Sequence, residues 1–302
     1  MTVLHEPVET VAKPARLRER RRRRGIRRTP RERAMVILGV ALLLGYAVVA
    51  IAPMIVMVID SLRPNRAVLS DPLGLPTSLD FSSYTKAWTD ASFATYMGNS
   101  AIVTICAVAL DVCVALPAAY VLGRYQFRGS GVLIAYFLSG LMLPIRLGIL
   151  PIFYLLGNFG MIDSRVGLVL VYAASGIPFS VFIMSAFFRG LPRELEEAAR
   201  IDGAGEFRTF ARVMVPLVKP AIATVVVFRF VPLWNDFFFP LVLLRSTDKY
   251  TLPVGLTQFF GEFQTNWSAL FAGLVITTAP IVILFLVATK QIVAGLTAGM
   301  GK

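Results

Sequence analysis

The stretch EEAARIDGAGEFRTFARVMVPLVKP, from Glu196 to Pro220, is charged and lies between two long apolar runs. Pro192 and the glutamates that follow it favour the start of a helix, because proline fits the first turn and carboxylates suit the positive end of the helix dipole. Gly203 and Gly205 end that helix, and a second apolar stripe before Pro216 is formed by Phe207, Phe210, Ala211 and Met214. The pattern predicts two short amphipathic helices joined by a glycine hinge.

Helices of about a dozen residues are marginal in water unless their apolar face is buried. Residues 189–219, called the charged loop below, therefore need a surface to cover that face. From the residues alone, two interpretations stay open. The loop docks on a partner protein, or it packs on its own membrane helices and on lipid headgroups.

The rest of the chain is apolar enough to be dissolved in a bilayer, since 56% of its 302 residues are hydrophobic and 16% are charged. Six runs are long enough to cross about 30 Å of hydrocarbon. They are residues 34–60, 95–122, 132–157, 167–188, 220–244 and 269–289. The sequence predicts an all-α membrane protein with six transmembrane helices and the charged loop between the fourth and the fifth.

Basic residues predict the orientation, because lysine and arginine are retained on the cytoplasmic side. Of the 30 lysines and arginines, 22 fall on the inner side if the amino terminus is inside, and six fall in outer loops. The other two, Arg146 and Arg229, lie within apolar runs. We expect both termini and the charged loop to be cytoplasmic.

Residues 1–33 are predicted to form a disordered basic tail, and residues 34–302 the transmembrane domain. The run RERRRRRGIRR, from Arg18 to Arg28, directly precedes the first span. Such a run is typical of a topology signal held near anionic lipid headgroups. Zinc-finger spacing and aromatic sheet motifs are absent from the sequence, so membrane lipid and not nucleic acid is the expected partner of the tail.

Residues for catalysis or metal binding are scarce. His5 is the only histidine, and Cys106 and Cys113 fall within one predicted span. The GMGK ending at Lys302 lacks the spacing of a phosphate-binding loop. The sequence therefore predicts no catalytic residue, no cofactor and no metal site.

The pattern of the charged loop resembles one in the permease subunits of binding-protein-dependent ABC importers. It consists of EAA at Glu197–Ala199, then Gly203, then VMVP ending at Pro216, where the usual ending is Ile-x-Leu-Pro. More narrowly, the chain resembles carbohydrate-importer permeases of the maltose type. That likeness rests on GLPRELEEAARIDGA from Gly190, PLWNDF from Pro232, YTLPVGL from Tyr250 and GLTAG from Gly295.

The resemblance implies a non-enzymatic transport subunit of a bacterial inner membrane. It implies three partners: a dimer of ATPase subunits, a second permease that is a different chain, and an extracytoplasmic sugar-binding protein. In the family the loop docks as a short coupling helix in a cleft of the ATPase. Carried onto this sequence, the coupling residues are Glu197, Ala198, Ala199, Asp202 and Gly203.

Ionisable residues inside the apolar runs mark a possible substrate pathway, because each costs roughly 2.5 to 3.5 kcal/mol at the bilayer centre and must face protein or water. The pathway candidates are Asp111, Arg146, Arg229, Trp234, Asn235 and Asp236. Pairing between helices and direct contact with a sugar are both open interpretations for the charges. So are two other functions: an ion-coupled secondary transporter, and a membrane scaffold without its own pathway.

Overall fold

The computed structural model describes residues 29–76, 78–89, 92–259 and 266–300, and for Gln258 and residues 288–300 it describes the backbone alone. The chain divides into two compact units, Met1–Ala52 and Pro53–Lys302. Most of the predicted basic tail, residues 1–28, lies outside the described residues.

The described residues form helices joined by short connections, as the prediction of an all-α protein requires. The helices are α1 Pro30–Ser61, α2 Asn65–Ser70, α3 Ser82–Thr89, α4 Phe93–Arg124, α5 Ser130–Met142, α6 Ile149–Asn158, α7 Arg165–Gly190, α8 Glu194–Ile201, α9 Glu206–Thr209, α10 Val215–Leu217, α11 Lys219–Trp234, α12 Phe238–Leu243, α13 Leu252–Gly255 and α14 Trp267–Met300.

Four of these helices are long and apolar enough to cross a membrane, namely α1, α4, α7 and the Trp267–Val287 part of α14. Two bent pairs pass the same test together, α5 with Ile145–Asn158 and Glu206–Leu217 with α11. The described chain therefore holds between four and six candidate spans. The predicted number of six is reached only if each bent pair counts as one span.

Helix α1 begins earlier than the apolar run predicts, at Pro30 and not near residue 34. The backbone N–H of Thr29 donates to the Glu32 carboxylate at 2.8 Å, and the N–H of Glu32 donates to the Thr29 hydroxyl at 3.3 Å. This reciprocal capping box, with proline at the first helical position, fixes a helix start in a polar sequence.

The third apolar run, predicted as one helix over 132–157, is broken. Helix α5 ends at Met142, a 3₁₀ turn follows at Ile145–Gly148, and the two halves of the run meet at an angle of 85°. Pro144 explains the break, because proline has no N–H to donate and disfavours a helical conformation in the residue before it. Leu143 is accordingly extended, at φ −84° and ψ 119°.

The fifth run, predicted over 220–244, is also not one helix. Helix α11 ends at Trp234, and α12 begins only at Phe238. The Asp236 carboxylate lies between them and accepts a hydrogen bond from the N–H of Phe239 at 3.3 Å. A short aspartate side chain that bonds the backbone in this way favours a turn over a continuous helix.

Helices α4 and α7 pack along their length and form the centre of the second unit. Their contact is lined by small residues of the kind that let membrane helices approach closely, such as Ala107, Ala115 and Ala119. A Cβ atom at Gly123 would lie 2.8 Å from the Cβ of Phe188 and 2.9 Å from the carbonyl oxygen of Ser185. Glycine is therefore required where the two helices meet near the charged loop.

The connections at the other end of α7 are held by Asp163, in the loop before the helix. Its carboxylate accepts hydrogen bonds from the N–H groups of Arg245 and Ser246, at 2.8 and 3.0 Å, and pairs with Lys249 at 2.8 Å. The hydrogen bond from Lys249, followed by those from Ser246, lowers the pKa of this carboxyl below its ordinary value. The loop before α7 is thereby tied to the loop after α12.

Candidate functional site

The charged loop folds as the glycine pattern predicts. Helix α8 ends at Ile201, and Gly203 adopts a left-handed conformation with φ +74°. The N–H of Gly203 donates to the carbonyl of Arg200 at 3.0 Å, and that of Ala204 to the carbonyl of Ala199 at 2.9 Å. This pair of bonds is the Schellman ending of a helix, in which glycine has no steric penalty.

The predicted coupling residues do not all lie on one surface of the loop. Glu197, Ala198, Asp202 and Gly203 are exposed. Ala199 has only 6% of its surface exposed and lies inside the chain. Its small size serves packing within the subunit, so it is not available for direct contact with another protein.

Two large apolar side chains on the charged loop are far more exposed than the others. Ile201 is 86% exposed and Phe207 is 81% exposed, on either side of the glycine hinge. The sequence places Phe207 in an apolar stripe with Phe210 and Met214, and that placement is wrong. Met214 is fully buried and Phe210 packs against the core, whereas Phe207 points away from it. Ala198 is also exposed, and these three apolar residues are together called the exposed face below.

The charged loop is fixed to the end of α4. The Arg124 guanidinium pairs with the Glu196 carboxylate at 2.9 Å, and the hydroxyl of Tyr120 donates to the same carboxylate at 3.1 Å. The hydroxyl of Tyr125, the residue after α4, donates a hydrogen bond to Glu206, which lies beyond the glycine hinge. Burial, and then the hydrogen bond to Glu206, raise the pKa of Tyr125 above its ordinary value.

The four charges inside the apolar runs form two pairs. Arg229 of α11 pairs with Asp111 of α4, with its Nε 3.1 Å from Oδ2. Arg146 pairs with Asp236 at 3.7 Å. Pairing between helices, one of the two interpretations left open by the sequence, is thus present in the folded subunit.

The Asp111 and Arg229 pair is buried, and α7 supplies further hydrogen-bond partners to both groups, although Asp111 Oδ1 has none. Ser180 donates to Asp111 Oδ2 at 2.9 Å, and Arg229 Nη2 donates to the carbonyl of Tyr172 at 2.7 Å and to Ser175 at 3.1 Å. The pair crosses α7 directly at Gly176, where a Cβ atom would overlap both charged groups. The ion pair therefore connects three helices through the space that this glycine leaves.

The second pair is more open. The Asp236 carboxylate accepts a hydrogen bond from the hydroxyl of Tyr172 at 2.6 Å and is largely buried. The Arg146 side chain is 70% exposed and lies over the ring of Phe238, 6.0 Å from its centroid. A guanidinium in this position keeps donors free for a ligand.

Trp234 and Asn235, the remaining pathway candidates, have different environments. Trp234 is 3% exposed, stacks on Phe230 and donates its indole N–H to the carbonyl of Thr277 at 2.9 Å. This indole is occupied within the chain and does not offer its face to a ligand. Asn235 is exposed, and its amide donates to the carbonyl of Val231 at 3.0 Å.

A cavity of about 470 Å³ adjoins the Arg229 side chain, between α5, α7 and α11. Its lining residues are Gly140, Leu141, Leu143, Ile145, Ala174, Ser175, Pro178, Phe179, Phe228 and Arg229. The break at Pro144 opens this space, because the end of α5 and the following 3₁₀ turn form one of its walls. Broken helices at membrane depth are tolerated where they line a cavity.

Comparison with known proteins identifies the family. Residues 115–297, more than half of the chain, match the family described as "Binding-protein-dependent transport system inner membrane component". The chain belongs to this family. The match covers the charged loop, both ion pairs except Asp111, and the cavity, and it confirms the resemblance noted in the sequence.

Individual members of the transport family are similar over most of their length. The diacetylchitobiose uptake system permease protein NgcG of Streptomyces coelicolor is 37% identical over 270 residues, which are 89% of each chain. The arabinooligosaccharides transport system permease protein AraQ of Halalkalibacterium halodurans is 33% identical, over 87% of this chain and 96% of that protein.

A solved structure of a transporter chain has a fold similar to that of this permease. A chain in the crystal structure of a bacterial ABC transporter involved in the import of the acidic polysaccharide alginate is 26% identical. The two chains superpose with a TM-score of 0.80, over 88% of this chain and 99% of that one. The permease is a multi-pass membrane subunit and not an enzyme.

Proposed function

We propose that this permease passes a sugar or oligosaccharide from an extracytoplasmic binding protein into the bacterial cytoplasm, driven by ATP hydrolysis in partner subunits. The observation that carries the proposal is the family match over residues 115–297. The names of the similar proteins, which specify uptake of diacetylchitobiose and of arabinooligosaccharides, support a saccharide as the substrate.

The exposed face of the charged loop supports the docking of an ATPase subunit. Ala198, Ile201 and Phe207 are exposed apolar residues in a loop that also carries many charges. Glu197 and Asp202, beside them, offer carboxylates to basic groups of the ATPase. The excess of lysine and arginine on this side of the predicted topology supports a cytoplasmic position for the loop and for both termini.

The other partners follow from the transport system as a whole. An importer dependent on a binding protein needs that protein on the extracytoplasmic side and a second permease, here a different chain, to enclose the pathway. The bacterial inner membrane is then its location. The basic tail, residues 1–33, is proposed to lie near anionic lipid headgroups beside the first span.

The substrate pathway runs along the broken helices. We place Arg146, Asn235 and Asp236 on its wall because Arg146 and Asn235 are exposed and Asp236 adjoins Arg146. Asp111, Arg229 and Trp234 hold the helices around the pathway in place and do not contact the sugar, since each is hydrogen-bonded within the subunit. Carboxylate, amide and guanidinium groups together suit the hydroxyls of a saccharide.

The proposed function is tested by assembling the complex. The permease is tagged and co-expressed with the ATPase, the second permease and the binding protein encoded nearest to it. We expect the four to purify together, ATP hydrolysis to rise with the sugar-loaded binding protein, and sugar to accumulate in proteoliposomes. Solute movement by the permease alone under an ion gradient would support a secondary transporter instead. A complex that hydrolyses ATP but moves no sugar would support a scaffold.

The pathway is tested with Arg146→Gln. Loss of a charged hydrogen-bond donor costs about 1.5 kcal/mol, which is roughly a tenfold rise in the sugar concentration for half-maximal transport. The matched control is Arg245→Gln, since Arg245 is also exposed and lies 5.8 Å from the ring centroid of Phe153. Equal behaviour of the two variants, measured in proteoliposomes at saturating binding protein, would remove Arg146 from the pathway.

A further inference from the structure

Arg124, the last residue of α4, holds the charged loop with hydrogen bonds from its guanidinium group. Its Nε and Nη2 hold both oxygens of the Glu196 carboxylate, at 3.1 and 2.9 Å. Its Nη1 donates to the carbonyls of Phe188 and Leu191, at 3.1 and 2.6 Å, and Nη2 also donates to that of Pro192 at 3.3 Å. All five N–H donors of the guanidinium are therefore used.

The acceptors of Arg124 belong to two different parts of the chain. Phe188 and Leu191 lie at the end of α7, where carbonyls carry partial negative charge, and the Phe188 carbonyl also accepts a hydrogen bond from the N–H of Leu191 at 3.2 Å. Glu196 lies in the first turn of α8. One side chain thus binds the end of α7 and the start of α8 to the end of α4.

Burial makes this connection rigid. The Arg124 side chain is 4% exposed and Glu196 is 15% exposed, so water does not compete for the bidentate pair. Tyr120, one turn earlier on α4, donates to the same carboxylate at 3.1 Å. A second pair in the same loop, Arg200 with Glu206, is more than half exposed on both sides and contributes little to rigidity.

We propose that Arg124 is a positioning residue that converts movement of the charged loop into movement of α4 and α7, an inference that rests on the proposed docking of the ATPase. The exposed face, formed by Ala198, Ile201 and Phe207, lies on the loop, whereas Arg124 contacts the loop from the membrane helices. Docking and transmission are therefore carried by different side chains. A loop that docks but is not held by Arg124 moves without the helices.

The test is Arg124→Gln in the assembled complex, with sugar transported and ATP hydrolysed measured in the same proteoliposomes. We expect the complex to assemble and to hydrolyse ATP, but the ratio of sugar moved to ATP hydrolysed to fall about tenfold or more. The stimulation of hydrolysis by loaded binding protein should fall with it, because that signal crosses the same contact. Arg124→Lys keeps the charge but cannot hold both oxygens of the Glu196 carboxylate at once. Its ratio of sugar moved to ATP hydrolysed should lie between those of the wild type and Arg124→Gln.

Arg128→Gln is the matched control, because Arg128 is exposed, lies four residues further along, and carries the same topological charge. It should keep the wild-type ratio. If Arg124→Gln does not assemble, Glu196→Gln is used instead. It keeps the hydrogen bonds from Arg124 to the backbone carbonyls and tests the bidentate contact between Arg124 and Glu196 alone. A wild-type ratio in the assembled variants overturns the inference while the proposed function stands, and a wild-type complex without coupled transport overturns both.

Discussion

Introducing arginine at Ala198 is expected to abolish sugar transport while the permease still folds and inserts. Ala198 is exposed on α8, so a larger side chain at this position points into solvent and is expected to leave the fold of the permease intact. In the docked complex the same side chain would be forced into the proposed cleft of the ATPase, beside Ile201 and Phe207. Burying an unpaired charge there costs several kcal/mol, and about 3 kcal/mol weakens docking by roughly a hundredfold.

The measurement is the amount of ATPase that purifies with the tagged permease, together with transport in proteoliposomes. Ala94→Arg is the matched control, since Ala94 is an exposed alanine at the start of α4, at the other end of that helix from Arg124. It should retain wild-type association with the ATPase. Normal association of the ATPase with the Ala198→Arg variant would show that the exposed face is not the docking surface.

The hinge gives an independent measure of the same docking. Gly203→Pro imposes φ near −65° where the chain has +74°, and it removes the N–H that bonds to Arg200. Gly203→Asn keeps the N–H and tolerates the left-handed conformation. Transport should survive asparagine and not proline, so loss with both would point to the side chain and not to the backbone.

Much of the fold was predictable from local signals. The apolar runs locate the helices because the membrane demands continuous apolar length, and Gly203 ends α8 because left-handed backbone favours glycine. Pro144 and Asp236 break their runs through backbone bonding, which hydropathy does not measure. Runs 132–157 and 220–244 were therefore predicted as helices that the structure interrupts.

The site was less predictable, because residue type does not specify which way a helix faces. The charges at Asp111, Arg146, Arg229 and Asp236 stood out because each is costly in hydrocarbon. Their pairing depends on how each helix is rotated about its own axis, and hydropathy does not specify that rotation. Ala199 and Trp234 look available in the sequence and are buried. In the sequence Arg124 is one of 22 basic residues on the inner side, whereas the structure surrounds it with acceptors.

Gly176 had no signal at all, since a glycine in an apolar run is typical of membrane helices. Its role appears only where Arg229 reaches across α7 to Asp111. A Cβ atom there would overlap Asp111 Oδ2 and Arg229 Nε, and it would lie 2.6 Å from Arg229 Nη2. Both groups are held by further hydrogen bonds, to Ser180 and Ser175, so neither can move aside without leaving a buried charge unpaired.

Gly176→Ala is therefore expected to destabilise the permease by about 3 kcal/mol or more, the loss that follows when a buried ion pair is broken. The measurement is thermal unfolding of the purified permease in detergent. Gly98→Ala is the matched control, because Gly98 lies in α4 and, among the described residues, no atom beyond the adjacent backbone of that helix lies within 4 Å of the added carbon. That variant should be neutral or slightly stabilising, since alanine is the better helix former.

A double-mutant cycle distinguishes two causes of the lost stability, breaking of the ion pair and disturbance of α7 by the added carbon. If Gly176→Ala acts by breaking the pair, it should cost much less in a permease that already carries Asp111→Ala and Arg229→Ala, since no pair is left to break. If the cost is the same in both backgrounds, the added carbon disturbs α7 itself, and the ion pair is not what this glycine accommodates.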